Sequence, residues 1–368
     1  MEYNRKIPYN DLPDLPPSFD VDTRELLMSH AVKAARSLAE LKGLCETMPQ
    51  ESLYNLLINT IVLQESKDSS EIENIVTTQD ELYQAAIDES AKTSAAKEVL
   101  GYRKALYAGL KYMKDQNNII STNLMVNVVQ TITQNTSGIR KTAGTALKNA
   151  ITGEIVYTPP CCEDVLREKL KKLEIFINDP ETCNLDPIIK LALIHYQFES
   201  IHPFDDGNGR TGRILNSLYL VNQNLLSHPV LYLSSYIIDY KQDYYRLLRE
   251  VTERQNWLDW IIFMTTAINE TSILTMKKIR GILNLKKEME TETMKVLEKF
   301  NNRHELYNLM FTIPYLKIGL IADKGIAHRQ TAAVYLKELE TNGILKPKKM
   351  GRTTYYINYK LIDLITQR

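Results

Sequence analysis

The chain has few cysteines. Cys45, Cys161, Cys162 and Cys183 stand at spacings that fit neither CxxC metal sites nor a disulfide framework, so they read as reduced thiols of a cytoplasmic protein. Net charge is absent as well. The 45 basic residues balance 45 acidic ones, which removes any global field for nucleic acid or for an anionic membrane. No uninterrupted apolar run approaches the ~18 residues that a membrane span requires. The opening MEYNRKIPYN has no apolar core of the kind that directs secretion, so neither a spanning nor a secreted chain is expected. Internal repeats and low-complexity tracts are missing too. What remains is a chain of 368 residues, 44% hydrophobic, long enough for two or three domains with a sizeable core.

Helical periodicity fills most of that length. Apolar positions recur at three- and four-residue intervals over 24–45, 52–64, 79–92, 95–114, 124–134, 164–178 and 187–201, with glycine and proline in the gaps. This predicts a mostly α body. Two further helices, 256–283 and 286–300, the second charged along one face, read as a connector leading out of it. The expected division is an N-terminal helical region at 1–115, a core at 116–255, the connector at 256–310 and a C-terminal domain at 311–368.

The chemistry concentrates in twelve residues, HPFDDGNGRTGR, from His202 to Arg213. Gly207, Asn208 and Gly209 can turn successive N–H groups inward as an anion-binding concavity. The segment 214–226 has helical periodicity, so the concavity opens on a helix N-terminus, which also favours anions. Arg210 and Arg213, three apart, can each offer a guanidinium fork to phosphate oxygens. Asp206 is placed to hold Mg²⁺ beside those phosphates, and His202 can take a proton from an attacking hydroxyl near neutral pH. An EF-hand is excluded by the missing later ligands, and a Walker loop by the missing Gly-Lys-Ser/Thr. The string therefore reads as a nucleoside triphosphate site.

HPFDDGNGRTGR resembles the Fic-family motif HxFx(D/E)GNGRxxR and matches it at every fixed position. The resemblance implies a Fic-type helical bundle, a β-hairpin flap and transfer of AMP from ATP to a Ser, Thr or Tyr hydroxyl of a protein, with release of pyrophosphate. It implies ATP as substrate, Mg²⁺ as cofactor and a homodimer as the assembly. Under it His202 is the general base, Phe204 anchors the loop and Asp206 is the Mg²⁺ ligand. Gly207, Asn208, Gly209, Arg210, Thr211, Gly212 and Arg213 hold the nucleotide.

Three further segments take meaning beside that motif. Ser70 and Glu73 by themselves form a capping-box pattern at a helix start. The run Ser69–Asn74 also resembles the family's inhibitory pattern (S/T)xxxE(G/N), which implies an inhibitory helix at about 69–75 whose Glu73 pairs with Arg213 and misplaces ATP. The stretch 148–160 alternates around a Thr-Gly break like a short hairpin, and it resembles the flap, at 148–158, that holds a target backbone by strand addition. In the segment 241–248 the family places a tyrosine against the nucleotide; Tyr245 is the choice here and Tyr244 the alternative. His195, on the apolar stretch before His202, reads as a core histidine.

The C-terminal domain changes character. Helices at 313–322 and 327–342 followed by a hairpin at 346–358, turning at Gly351, read as a winged helix-turn-helix domain. From Tyr315 onward it holds ten basic residues (Lys317, Lys324, Arg329, Lys337, Lys346, Lys348, Lys349, Arg352, Lys360, Arg368) against four acidic ones, a polarity that suits DNA. Two functions compete on this reading: an adenylyltransferase with built-in inhibition, and a DNA-binding regulator whose Fic-like core senses a nucleotide. The same site could also remove AMP if Glu73 positions a water. The complete motif favours catalysis, since a sensor has no need of His202 beside a phosphate loop.

Overall fold

The computed structural model describes residues 3–48, 60–88, 93–141, 144–148 and 152–367. In chain order the first helices are α1 (Val21–Glu46), α2 (Ile61–Ile72), α3 (Gln79–Asp88), α4 (Ser94–Asp115) and α5 (Thr122–Thr133). A two-stranded hairpin follows, β1 (Leu147–Lys148) and β2 (Ile155–Tyr157), and then α6 (Glu163–Asn178), α7 (Pro187–Ile201), α8 (Asn208–Asn222), α9 (Leu233–Asp239), α10 (Lys241–Arg254) and α11 (Trp257–Val296). The chain closes with α12 (Arg303–Thr312), β3 (Tyr315–Leu316), α13 (Ile318–Asp323), α14 (Arg329–Thr341), β4 (Lys346–Met350), β5 (Thr353–Ile357) and α15 (Tyr359–Thr366). None of the described helices is long and apolar enough to cross a membrane.

The expected mostly α architecture is what forms, and α7 and α8 are its axis. Asp186 caps α7 by accepting the Ile188 N–H at 2.8 Å, and Pro187 pre-sets the first turn. Almost every side chain from Ile188 to Ile201 is buried, so this helix has packed neighbours on all sides rather than one apolar stripe. Across from it, Trp260 of α11 is fully buried and donates its indole N–H to the Ala192 carbonyl at 2.8 Å. A rigid pair of central helices is thus built with the loop 202–207 suspended between them.

Several expectations need correction. The connector is one continuous helix of 40 residues, because nothing at Asn284-Leu285 can break it: no proline or glycine stands there. Residues 69–75 are not a helix of their own but the last turn of α2 and its exit, with Glu73 as C-cap. The Ser70/Glu73 pair therefore ends a helix instead of starting one. Of the expected helix 52–64, residues 52–59 lie outside the described residues, as do 89–92 of the third expected helix and 149–151 of the hairpin. The expected helix at 313–322 begins late. Pro314 follows extended Ile313, and Tyr315–Leu316 is a strand that adds to β5 before α13 starts.

The C-terminal sheet has the order β3-β5-β4, with Lys346 opposite Ile357 and Met350 opposite Thr353 across the two-residue turn Gly351-Arg352. Gly351 takes φ 61°, as the first central position of such a hairpin turn demands. The order is helix, strand, two helices and a hairpin, with the hairpin expected at 346–358 present as β4 and β5. A final helix, α15, was not foreseen; Asn358 caps it through the Leu361 N–H.

Candidate active site

α7 ends at His202, which adopts the left-handed conformation (φ 48°, ψ 59°) while its N–H still bonds the Phe198 carbonyl at 3.0 Å. A non-glycine residue in that region is uncommon and costs energy, so the surrounding contacts must hold it. Arg140 supplies them. This buried side chain donates its Nε–H to the His202 carbonyl at 2.8 Å and reaches the carbonyls of Pro160 and Ile201, while its backbone N–H bonds Pro203 O at 2.9 Å. Asn208 closes the loop from the other end. Its side chain accepts the Phe204 N–H at 2.9 Å and donates to the Phe204 carbonyl at 2.7 Å, fixing Phe204 in the core.

The His202 imidazole has a buried Nδ1 that no partner meets in hydrogen-bonding geometry. Burial first, and then the charge of Arg140, push its pKa down to about 4, although the Glu199 carbonyl and the Glu73 and Asp206 carboxylates pull the other way. The ring is therefore neutral at physiological pH and able to accept a proton. His195 is a different case. It is fully buried between Tyr244 Oη at 2.9 Å and Asn216 Nδ2 at 3.1 Å, and burial pushes it down to about 3; it is a core residue, as expected.

Gly207 begins α8 with φ 81°, a conformation that favours glycine. Asp206, just before it, accepts the Gly207 N–H at 2.6 Å and meets Arg210 at 3.2 Å, with its side chain 74% exposed. Both arginines of the motif are buried and each is already neutralised. Arg210 pairs with Glu98 of α4 at 2.5 Å. Arg213 donates to Ser69 Oγ and to the Ser69 carbonyl, both at 2.7 Å, and to Glu73 Oε1 at 2.9 Å.

Two carboxylates cover the glycines of α8. A Cβ at Gly209 would lie 2.1 Å from Glu73 Oε1, and one at Gly212 would lie 2.3 Å from Glu199 Oε1. Glu199, one turn before His202 on α7, has no partner for that oxygen, and burial raises its pKa to about 8 against the pull of Arg213. Thr211 is buried and Gly212 covered, so these two of the expected nucleotide contacts face packed protein here. Tyr245 is exposed beside this cluster, whereas Tyr244 is core. Sequence reading missed Glu98, Arg140 and Glu199. Glu199 alone left a sign, the one acid in a largely apolar helix.

The helix that ends at Glu73 is seated by polar contacts. Glu65 of α2 accepts the Ser234 N–H at 2.8 Å and its hydroxyl at 2.5 Å, and Asp68 accepts the Tyr232 hydroxyl. The flap strands pair as expected, Leu147 opposite Tyr157, and the Tyr157 hydroxyl anchors them to the Ser200 carbonyl at 2.7 Å.

Three family models match consecutive parts of the chain: "Fic/DOC family N-terminal" over residues 28–111, "Fic/DOC family" over 119–220, and "Protein adenylyltransferase SoFic-like, C-terminal domain" over 285–361. The chain belongs to the Fic/DOC family. It is similar to the protein adenylyltransferase fic-1 of Caenorhabditis elegans, 43% identical over 65 residues, which is 18% of this chain and 13% of that protein. It is also similar to the probable protein adenylyltransferase aq_aa38 of Aquifex aeolicus, 32% identical over 124 residues, or 33% of this chain and 36% of that one. These Fic relatives are thus matched over a minor part of their own length. The fold is shared more widely. A Fic family protein from Desulfovibrio desulfuricans superposes with a TM-score of 0.54 at 19% identity, covering 93% of this chain and 98% of that one. Fic-1 from C. elegans superposes with a TM-score of 0.50 at 18% identity over 70% of this chain and 74% of the other.

Proposed function

We propose that this Fic protein transfers AMP from ATP to a hydroxyl side chain of a protein and that Glu73 restrains the reaction. The observation that carries the reading is the juxtaposition of a neutral, strained His202 with the Gly207–Gly209 turn at the N-terminus of α8. The turn and the helix end favour phosphate, and the adjacent imidazole is ready to accept a proton. The target hydroxyl oxygen attacks the α-phosphorus while its proton passes to His202. The bond from that phosphorus to the oxygen bridging to the β-phosphate breaks, and pyrophosphate leaves. Little else is needed beyond alignment and neutralisation of the departing charge, which Arg210 and Arg213 would supply.

Asp206 fits the Mg²⁺ role. Its exposed carboxylate stands beside the glycine turn, and Mg²⁺ characteristically takes one or two carboxylates and completes its shell with phosphate oxygens and water. Bound there, the ion would neutralise phosphate charge. Tyr245, exposed near Glu73 and Arg213, is the side chain we assign to the base or ribose. The flap at 148–158 is assigned to the target backbone.

The test is incubation with labelled ATP and Mg²⁺, comparing the wild type, Glu73→Gly and His202→Ala. Label on protein that is strongest in Glu73→Gly and missing from His202→Ala supports the transferase. Equal label in His202→Ala, or none in a folded Glu73→Gly protein, overturns it.

A further inference from the structure

The C-terminal domain reaches back across the chain to the segment that follows Glu73. Its sheet carries two buried tyrosines, Tyr315 on β3 and Tyr355 on β5, and the structure closes them on α3. The Tyr315 hydroxyl donates to Asp80 Oδ1 at 2.7 Å and the Tyr355 hydroxyl to Asp88 Oδ2 at 2.9 Å. Each aspartate also meets a lysine of the same domain, Asp80 with Lys348 and Asp88 with Lys317. Beneath the polar contacts lies an apolar seam of Leu63, Leu82, Tyr83, Val99, Tyr315 and Ile357, in which the Tyr83 and Tyr315 rings stack at 5.0 Å.

α3 is well suited to be gripped in this way. Asp80 and Asp88 stand at its two ends, roughly 12 Å apart at 1.5 Å per residue. Asp88 is at a helix C-terminus, where a negative charge is disfavoured, and Lys317 offsets that. Two of the ten basic residues that suit the domain to DNA are therefore committed to carboxylates of the same chain.

α3 is also tied to the inhibitory residue. Asp80 is seven residues beyond Glu73, and the turn between them is closed by its own bonds. Thr78 and Glu81 form a reciprocal capping box, with N–H to carboxylate 3.0 Å and N–H to hydroxyl 3.2 Å. Gln64 of α2 and Gln79 of α3 exchange amide hydrogen bonds at 3.0 and 2.9 Å. This junction borders a pocket of about 460 Å³, whose lining includes Lys67, Asp68, Thr77 and Thr78 together with Ile362 and Thr366 of α15.

We propose that the C-terminal domain is an internal control domain, whose sheet grips Asp80 and Asp88 of α3 and so holds Glu73 on Arg213. This regulatory role rests on the transferase reading given above. The partner of the sheet's basic, aromatic face is an acidic helix of the same chain. α2 alone is seated on the core largely through buried polar groups, which water can replace. The grip on α3 adds a second apolar contact to that made by Ile61, Val62 and Ile72 of α2, which lie in the main core.

The experiment uses full-length protein carrying Asp80→Asn with Asp88→Asn, and separately Tyr315→Phe with Tyr355→Phe, a milder pair that keeps the rings packed. Hydrogen exchange of the amides from Ser70 to Thr78 is expected to accelerate at least tenfold in both pairs, while amides of α7 stay protected. AMP transfer is expected to rise at least threefold over wild type, with no further rise when Glu73→Gly is already present. Unchanged exchange in both pairs overturns the grip, whatever the enzyme assay gives. Faster exchange with no gain in a protein whose Glu73→Gly form is active overturns the link to Glu73. Absence of AMP transfer from every variant would count against the transferase reading, and exchange would still decide the grip.

Discussion

Glu73 Oε1 lies 2.9 Å from Arg213 Nη2 and also occupies the space that a Cβ at Gly209 would fill, 2.1 Å from it. One carboxylate oxygen thereby takes both the guanidinium and the bare backbone that an anion would use. Glu73 also ends α2, where the helix dipole disfavours a negative charge, so the pair with Arg213 offsets a local cost. On the proposed reading, a triphosphate in the turn would compete with Glu73 for the same space and charge.

Removing Glu73 should therefore release the site. Glu73→Gly is expected to raise AMP transfer at least ~10-fold, corresponding to ~1.4 kcal/mol of restraint. It should also lower stability by about 1–3 kcal/mol, because Arg213 stays buried and keeps Ser69 as its described partner. Initial rates with labelled ATP and urea unfolding check the two halves. A stable variant with unchanged rate would show that Glu73 does not compete with the nucleotide.

The two histidines that bracket the last two turns of α7 should behave oppositely. His202→Ala should abolish AMP transfer with the fold retained, since the Nδ1 of this ring meets no partner in hydrogen-bonding geometry. His195→Ala should cost about 3 kcal/mol by opening a cavity and orphaning Tyr244 and Asn216, with any loss of activity tracking loss of fold. Thermal unfolding beside rate measurements separates them.

How far the sequence revealed this site follows from where its parts lie. His202 to Arg213 were legible because the chemistry is contiguous, one loop and one helix start, where residue type and spacing suffice. Glu98 and Arg140 were not legible, because each reaches the loop from a distant element and is unremarkable in its own neighbourhood. The direction of α2 was misread for a related reason. Its buried face carries Gln64, Glu65, Asp68 and Ser69, so hydrophobic periodicity could not report the helix, and a local Ser-x-x-Glu pattern suggested a start where the chain has an end. The break placed before Lys286 failed because a polar surface on a long helix resembles a boundary when no capping residue is demanded.

Gly212 should be as intolerant as its contacts require. A methyl there would meet Glu199 Oε1 at 2.3 Å and Phe198 Cδ1 at 3.1 Å. Gly212→Ala is expected to destabilise by roughly 1–3 kcal/mol, the usual cost of overpacking. Shortening the opposing side chain relieves the closer clash, so Gly212→Ala with Glu199→Ala should show a favourable coupling of at least ~0.5 kcal/mol in a double-mutant cycle. Additive losses would mean that the Glu199 carboxylate already moves aside freely.

Glu199 also sets a pH dependence whose sign can be worked out. Burial raises its pKa from the usual carboxylate value to about 8, while Arg213 on α8 pulls it down and Glu73 at the end of α2 pushes it up; Tyr244 and Tyr245 of α10 face the same cluster. A carboxyl whose folded pKa lies above its unfolded value stabilises fully at pH below about 4.5, and that contribution is lost as pH rises toward about 8, because the native state keeps a proton that the unfolded chain releases. Glu199→Gln mimics the protonated form at every pH. The difference in stability between Glu199→Gln and wild type should therefore grow in favour of the variant between pH 5 and pH 8, by up to a few kcal/mol at ~1.4 kcal/mol per unit, and then level off. Urea unfolding of both proteins at four or five pH values measures it. A constant difference across that range would mean that Glu199 is ionised in the native protein and has found a partner for its second oxygen.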